Sequence, residues 1–565
     1  MDSREINPRH QWHFIIGLAA SAVLLTVIQA PVNVHVLAWA AWVPFMLACG
    51  PQVPGRRLAI AAYLVAAGYW LFNLSWLMPV TGPGYIVFAL WQSVYWPVLA
   101  LTVRFVRLKH WPLTVFAPVI FVGAEAIQSV LFTGFSWFFL AHSQYRILPL
   151  IQISDIVGAL GVSVLVALVN GLLADGILER QLRHSLGRLF WANAAVTGVL
   201  LAAAVGYGVY RLEQTPAFVH DGPVVGSVQS NVPSHIKEET KNAQLLLDSL
   251  LEMSQASIEA GAALVAWPET MVLAAMNPGY LMYLPPDSEP QRFHRQILAH
   301  AENQAYILFG AHSARVARVG AELDVTDQYN SAFLYRPDGA ADPKRFDKIH
   351  LVPFGEYIPF RHSAPWLYRI ILNLSPYDYD YNLTAGQTYT VFTFNNDDRA
   401  YRFGVLICYE DTHATIARRM TLAENGVKRV DFLANLSNDG WYVRYRDGKV
   451  IPSAELSQRM AISVFRSIEN RIAIIRSSNT GISCLIDSTG RIRDSFKAGT
   501  LPERAIERQA VEGWFNDTIP IDSRITLFSR HGRWLDAVFG AALTGLFVRA
   551  MLERFIKRHK GAINA

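Results

Sequence analysis

Three stretches of the chain, at 266–269, 347–357 and 404–411, carry side chains able to act as base, cation and nucleophile. Gly404-Val405-Leu406-Ile407-Cys408-Tyr409-Glu410-Asp411 brings a cysteine to the polar end of a short apolar run. Such a run reads as a buried strand, and a thiol held at its end can serve as a nucleophile. Free cysteines are also common small buried hydrophobes, so the octapeptide alone leaves both roles open. Ala266-Trp267-Pro268-Glu269 ends a second apolar run in a carboxylate. A carboxylate beside a thiol can take its proton as general base and return it to a leaving group. The competing role for Glu269 is a strand cap or an arginine partner, although Pro268 stiffens the approach and removes a backbone donor. The third stretch is Asp347-Lys348-Ile349-His350-Leu351-Val352-Pro353-Phe354-Gly355-Glu356-Tyr357. An ammonium at Lys348 would stabilise a developing oxyanion, with the backbone N–H of Tyr409 as second donor. Taken alone, Lys348 is an ordinary loop lysine in the company of Lys344 and Arg345.

Glu, Lys and Cys in this order, each at a predicted strand end or loop, resemble the nitrilase superfamily triad. The run from Lys348 to Tyr357 is narrower and resembles the apolipoprotein N-acyltransferases, the membrane-bound branch of that superfamily. The resemblance extends over most of the chain. It implies an α/β plus membrane α-helical protein, with a nitrilase-like α-β-β-α sandwich inserted between transmembrane helices 7 and 8. It also implies a reaction in which the Cys408 thiol takes an acyl chain from a membrane phospholipid as a thioester. The chain then passes to the α-amino group of a diacylglyceryl-cysteine at an apolipoprotein N-terminus. No metal or cofactor is expected, because the donor is already an activated ester. The expected setting is a monomer in a bacterial inner membrane, its catalytic domain facing the periplasm.

The same resemblance gives Glu356 a supporting role that holds Lys348 and the thiol region, in a turn that Gly355 would permit. Glu410 reads as a neighbour that shapes the pocket or as a salt-bridge partner, and Tyr409 as lining the acyl pocket or packing in the core. The Asn438-Asp439-Gly440-Trp441 loop is expected as pocket wall, with Trp267, Asn438 and Trp441 contacting substrate. Pro365-Trp366-Leu367-Tyr368 and Ile370-Ile371-Leu372, followed by Tyr377-Asp378-Tyr379-Asp380-Tyr381, put much apolar surface on one segment. This reads as a lipid-facing lid in which Trp366 and Leu367 touch substrate, or as core packing beneath a long insertion. Thr133-Gly134-Phe135-Ser136-Trp137 resembles another family segment, expected at the lipid entrance. Arg466 and Glu469, at helix positions i and i+3, read as a structural pair. Three features depart from the family pattern: Glu238 in place of a tryptophan, Arg459 in place of a histidine, and a longer, more charged loop over 443–452. The rival readings are a membrane-tethered amidase, with water as acceptor, and an inactive lipoprotein-binding scaffold.

The elements that must position these groups follow from hydropathy. Hydrophobic residues make up 52% and charged residues 17% of 565, too apolar for a soluble enzyme of this size. Apolar segments at about 12–30, 34–49, 58–79, 85–103, 113–131, 156–173 and 189–207 approach the roughly 20 residues that cross a bilayer. The first is read as a retained anchor rather than a signal peptide, since it lacks a small-x-small cleavage site. Arg4 and Arg9, Arg56 and Arg57, then Arg104, Arg107 and Lys109, then Arg180, Arg183 and Arg188 fall in alternate loops. This places the N-terminus in the cytoplasm and the chain after the seventh span outside it. An eighth span begins at 534 and is followed by Arg554, Lys557, Arg558 and Lys560. The expected organisation is a membrane domain over 1–215, a catalytic domain over 220–515 and a terminal span with basic tail over 530–565.

Between them, strands are predicted at 223–228, 263–267, 306–311, 331–335, 401–407, 431–436, 471–476 and 483–486. Helices are predicted from 243, over 292–305 and over 453–469, an alternation that indicates an α/β domain. Cys49, Cys408 and Cys484 form no CxxC pair and no ligand cluster, which argues against a disulfide framework or zinc site. A Cys408–Cys484 disulfide would cost the proposed nucleophile. The net charge of +5 is not organised into a basic stripe with interleaved aromatics, so nucleic acid is not an expected partner.

Overall fold

A computed structural model describes residues 13–563 apart from 238–241, 320–321, 362 and 374–381. Arg4, Arg9, Glu238 and the tyrosine-rich run over 377–381 lie outside the described residues. The chain divides into two compact units, one of residues 1–213 with 531–565, the other of 214–530.

In the first unit, four helices among the described residues are long and apolar enough to cross a bilayer: Gly82–Leu108, Ala159–Leu182, Arg188–Ala217 and Trp534–Ile556. Other apolar segments are shorter or interrupted. The segment expected over 34–49 is a 3₁₀ turn, His35–Ala40, followed by a short helix, Val43–Ala48. The segment expected over 113–131 ends as a helix at Gln128 and passes through a π turn, Pro118–Val122. Pro118 cannot donate to the helical ladder.

The second unit has fifteen strands among its described residues: β1 Val219–Gln229, β2 Leu264–Ala266, β3 Val272–Ala275, β4 Tyr306–Val319, β5 Glu322–Tyr335, β6 Ala341–Asp347, β7 Val391–Asn396, β8 Arg399–Ile407, β9 Phe432–Ser437, β10 Arg444–Arg446, β11 Lys449–Ile451, β12 Ala473–Ser478, β13 Cys484–Ile486, β14 Ala498–Gly499 and β15 Gly513–Asp522. One sheet runs β14-β15-β1-β2-β4-β5-β6, with β3 on β4; the second runs β13-β12-β9-β8-β7. The expected domain limit at 515 falls inside β15.

Strand alternation builds the layers. Leu264, Ala266, Leu308, Ala332 and Leu334 of the first sheet meet Phe403, Val405, Leu433 and Ile474 of the second in one buried core. The intervening Val265, Trp267, Ile307, Phe309, Phe333 and Tyr335 point the other way, as a period of two requires. There they pack on Leu246, Leu247 and Leu250 of helix α1 (Ala243–Glu259) and on Phe293 and Ile297 of α2 (Glu289–Ala301). α3 is Pro365–Asn373. α4 (Ala414–Thr421) and α5 (Ala454–Asn470), buried from Glu455 onward, cover the second sheet. The α-β-β-α sandwich expected of a nitrilase-like domain is present. Several strands had no signal of their own, among them the edge strands β6 and β7 and the small β10-β11 hairpin.

Candidate active site

Glu269, Lys348 and Cys408 each follow directly on the C-terminal end of a strand, β2, β6 and β8, or within three residues of it. The strand ladders therefore fix where the three side chains begin. Past β2 the Trp267 N–H still donates to Leu308 O at 2.8 Å, so the chain stays in the sheet up to Pro268. Gly310 makes room for the turn, since a Cβ there would lie 2.7 Å from the Glu269 Cα. Lys348 is held through its backbone: its N–H donates to Asn330 O at 2.8 Å and its carbonyl accepts from Gly386 at 2.8 Å. Cys408 has φ +52°. This left-handed conformation is uncommon for a residue with a Cβ, and such strain clusters at functional sites. It turns the chain from β8 into the 3₁₀ turn Cys408–Thr412.

The charges are buried and paired. Lys348 is 1% exposed and Glu269 5%. The Lys348 ammonium donates to Glu356 Oε1 at 2.8 Å and to Glu269 Oε1 at 3.3 Å. Asn330, which sequence reading did not single out, donates to Glu269 Oε1 at 2.7 Å and to Glu356 Oε1 at 3.0 Å. The Asn438 N–H donates to Glu269 Oε2 at 2.8 Å. Burial by itself would raise the Glu269 carboxyl, but the Lys348 charge and hydrogen bonds involving Cys408, Asn330 and Asn438 outweigh it and hold the group well below the carboxylate range. The Cys408 thiol moves the other way. Burial first, then the neighbouring Glu269 charge, pushes it up to about 12. The resting site therefore holds a carboxylate, an ammonium and a protonated thiol.

Glu410 acts as a clamp between two of the three strand ends. Its Oε1 accepts from the Ile349 and His350 N–H groups at 2.7 and 3.0 Å, its Oε2 from Ile407 at 2.8 Å. The loop carrying Lys348 is thus tied to the residue before the nucleophile. Burial raises the Glu410 carboxyl to about 7 against the pull of those donors. Tyr409 stacks on His350 at 5.7 Å between ring centroids and meets His413 at 5.0 Å. Glu356 takes Lys348 on one oxygen and the Val352 N–H on the other, at 2.8 Å. The left-handed residue of its turn is Phe354, at φ +62°, and not Gly355.

Arg459 binds the turns together from behind. Fully buried, it donates to Asp411 at 3.1 Å and to Asp439 at 2.7 Å, joining the turn after Cys408 to the turn after Asn438. Asp411 also accepts from Arg476 and Ser463. Arg466 pairs with Glu469 at 2.8 Å, as the helical spacing predicts, and reaches Thr412 O at 3.0 Å.

The remaining expected positions divide. Asn438 is fully buried and serves Glu269 through its backbone, while Trp441 is 37% exposed in the turn beside it. Trp267 is corrected from substrate-binding residue to core. Strand alternation sends it to the helix side of the first sheet, against Phe309 at 5.9 Å. Trp366 and Ile370, one helical turn apart on α3, are 67% and 50% exposed, and Leu367 is half-buried. The excursion bearing α3 is closed at its base by Leu383 N–H to Glu356 O, 2.8 Å, so it starts and ends on the residue that holds Lys348. Phe135 and Trp137 stack at 5.3 Å in the first unit. Cys49, Cys408 and Cys484 are free. Among the described residues no cluster of metal-binding side chains occurs. A surface groove lined by Arg491, Arg493, Phe496, Lys497 and Asp517 includes none of the triad.

Residues 224–506 match the carbon-nitrogen hydrolase family, and residues 21–172 match the N-terminal domain of apolipoprotein N-acyltransferase. An apolipoprotein N-acyltransferase of Geobacter metallireducens is 31% identical over 489 residues, covering 84% of this chain and 85% of its own. The chain belongs to the apolipoprotein N-acyltransferase family. Another member, from Chlorobaculum tepidum, is 26% identical and covers 88% of this chain and 89% of its own. Among solved structures, a carbon-nitrogen hydrolase superfamily protein of Xanthomonas campestris is 18% identical with TM-score 0.34, covering 53% of this chain and 91% of its own.

Proposed function

We propose that this chain transfers a fatty acyl group from a membrane phospholipid to the α-amino group of a diacylglyceryl-cysteine at an apolipoprotein N-terminus, with Glu269, Lys348 and Cys408 as its catalytic residues. The observation that carries this reading is the convergence of a buried carboxylate, ammonium and thiol at three strand ends, the thiol at φ +52°. Family membership supplies the acyl-transfer chemistry, and the residues supply its steps.

In the first half, Cys408 gives its proton to Glu269 as sulfur bonds to the ester carbonyl carbon. The negative charge that forms on the carbonyl oxygen is met by Lys348 and the Tyr409 N–H. As Lys348 turns its charge toward that oxygen, its hold on Glu269 weakens and the carboxylate becomes a stronger base. Ionisation of the thiol is thereby coupled to engagement of a carbonyl. The tetrahedral adduct collapses by breaking the bond to the glycerol oxygen, which takes the proton from Glu269 and leaves as lysophospholipid. In the second half, the α-amine attacks the thioester, Glu269 removes a proton from nitrogen, and the carbon–sulfur bond breaks as that proton passes from Glu269 to sulfur, leaving an amide, a thiol and the resting carboxylate. Glu356 and Asn330 hold the Lys348–Glu269 pair; Glu410 and Arg459 hold the turns. Trp441, Trp366 and Leu367 are assigned to the acyl path, with α3 as a lid that keeps water from the thioester.

The setting that fits is a monomer in a bacterial inner membrane. The domains we assign are 1–215, a catalytic domain from 220 that runs past 515 to the end of β15 at 522, and 530–565, the catalytic one lying between spans seven and eight and facing the periplasm. Loop charge asymmetry supports that orientation, and the phospholipid is the acyl donor. Steady-state kinetics with both substrates varied test the covalent scheme. Parallel double-reciprocal lines are expected; intersecting lines would contradict a free acyl-enzyme.

A further inference from the structure

The loop over 443–452 is folded as a two-stranded hairpin set off from both main sheets. β10 and β11 pair Arg444 with Ile451, Tyr445 with Val450 and Arg446 with Lys449. The two-residue turn is Asp447-Gly448, with φ +52° and +75°, the left-handed pair a tight hairpin requires. Directly opposed residues of an antiparallel pair project to the same face. Arg444, Arg446, Lys449 and Ile451 therefore share one face, and all four are exposed. Arg446 and Lys449 stand directly opposite each other, a like-charge arrangement that weakens a hairpin. The one ion pair on this face is Arg446 with its sequence neighbour Asp447, at 3.5 Å and almost fully solvated. Arg444 and Lys449 have no ion-pair partner among the described residues.

The hairpin is rooted in the active site at both ends. It leaves from the turn after Asn438, whose N–H holds Glu269, past Tyr442, which lies within electrostatic reach of Cys408 and Glu269. It returns into α5, which carries Arg459. Three cations and an exposed isoleucine on one face match an anionic phosphate ester with apolar chains behind it. In a phospholipid, the glycerol places that phosphate only a few bonds from the scissile ester. Among the described residues the chain carries four apolar helices of bilayer length, and a phospholipid is the donor in the reading above, so a lipid headgroup is the phosphate-bearing ligand the hairpin's charge fits.

We infer that the 444–451 hairpin docks the headgroups of anionic phospholipids and biases the donor toward them, an inference that rests on the phospholipid-dependent reading above. A surface cation contributes about fivefold to association with an anionic leaflet. An isolated two-stranded hairpin is marginal in water, so docking also orders it.

The test uses the full chain in nanodiscs of phosphatidylethanolamine alone or with a minority of phosphatidylglycerol. Hydrogen exchange of 444–451 should slow when phosphatidylglycerol is present, and the protection should fade in high salt. Mass spectrometry of Cys408, with distinguishable acyl chains on the two lipids, reads which donor loads. Arg444→Ala/Arg446→Ala/Lys449→Ala should lower the anionic-to-zwitterionic loading ratio by at least fivefold and abolish the protection. The charge-preserving Arg444→Lys/Arg446→Lys/Lys449→Arg variant should retain both. Equal exchange in the two membranes, an unchanged loading ratio, or protection that appears only with an acceptor lipopeptide would overturn the inference. Loading of Cys408 from either lipid despite such a result would leave the acyltransferase reading standing. Absence of loading from both lipids would instead remove that reading, with exchange still reporting on the hairpin.

Discussion

Replacing Glu410 with glutamine probes the clamp that sets the nucleophile against its ammonium. The side chain keeps its shape. The amide oxygen can still accept from Ile349 and His350, now without the carboxylate charge. The amide NH₂ then faces the Ile407 N–H, which donates to Oε2 at 2.8 Å in the native site. Two donors meet, and a buried N–H loses its partner at a cost of about 1–3 kcal/mol. Ile407 immediately precedes Cys408, so the repulsion falls on the strand end that aims the thiol. A displacement of about 1 Å at a reacting group can cost on the order of a hundredfold in rate. The single-turnover rate of acyl loading on Cys408 should fall by about that factor, with a modest loss of melting temperature.

The pH dependence gives a second reading of the same variant. Burial raises the Glu410 carboxyl to about 7 in the folded protein, against about 4.3 in an unfolded chain. Its stabilising contribution is therefore fully present below the unfolded value and is lost as pH rises through about 7. Melting temperatures from pH 5 to 8 should drop more steeply for the native protein than for Glu410→Gln. A variant with native loading rate and a parallel pH profile would refute the clamp.

Other outcomes follow from the same geometry. Arg459→Met removes the common partner of Asp411 and Asp439, and loss of one member of a buried pair costs about 3–5 kcal/mol. Adding Asp439→Asn should recover part of the loss in denaturant titrations, whereas additive effects would mean that the bridge is not cooperative. Trp366→Ser/Ile370→Ser removes exposed apolar surface from α3. It should raise phospholipid hydrolysis relative to transfer, and an unchanged ratio would make α3 ordinary surface.

Much of this site could be read from residue types and order, because three chemically distinct groups were each delivered to a strand end by an apolar run. Their support was harder to read, since it is made of contacts between distant positions. Asn330 sits in mid-strand, and its role depends on β5 lying beside both β4 and the Lys348 loop. The clamp by Glu410 joins residues 61 apart in sequence through backbone N–H groups, which leave no trace in side-chain pattern. Trp267 shows a signal present but not applied. Leu264 and Ala266 face the inter-sheet core, so alternation already assigned Val265 and Trp267 to the opposite face. The left-handed residue of the Glu356 turn is Phe354 and not Gly355; its N–H donates to Tyr357 O at 2.7 Å, a backbone contact that residue propensity does not register. In the helical unit, hydropathy marked apolar stretches without registering Pro118 or the break at 41–42, because a hydropathy window averages over backbone geometry.

The most direct test of the central claim is intact-protein mass spectrometry after incubation with phospholipid alone. One acyl mass should appear on the native chain and on Cys484→Ala, be absent from Cys408→Ala, and be released by hydroxylamine as a thioester. No adduct on the native chain, or an adduct that persists in Cys408→Ala, would contradict it.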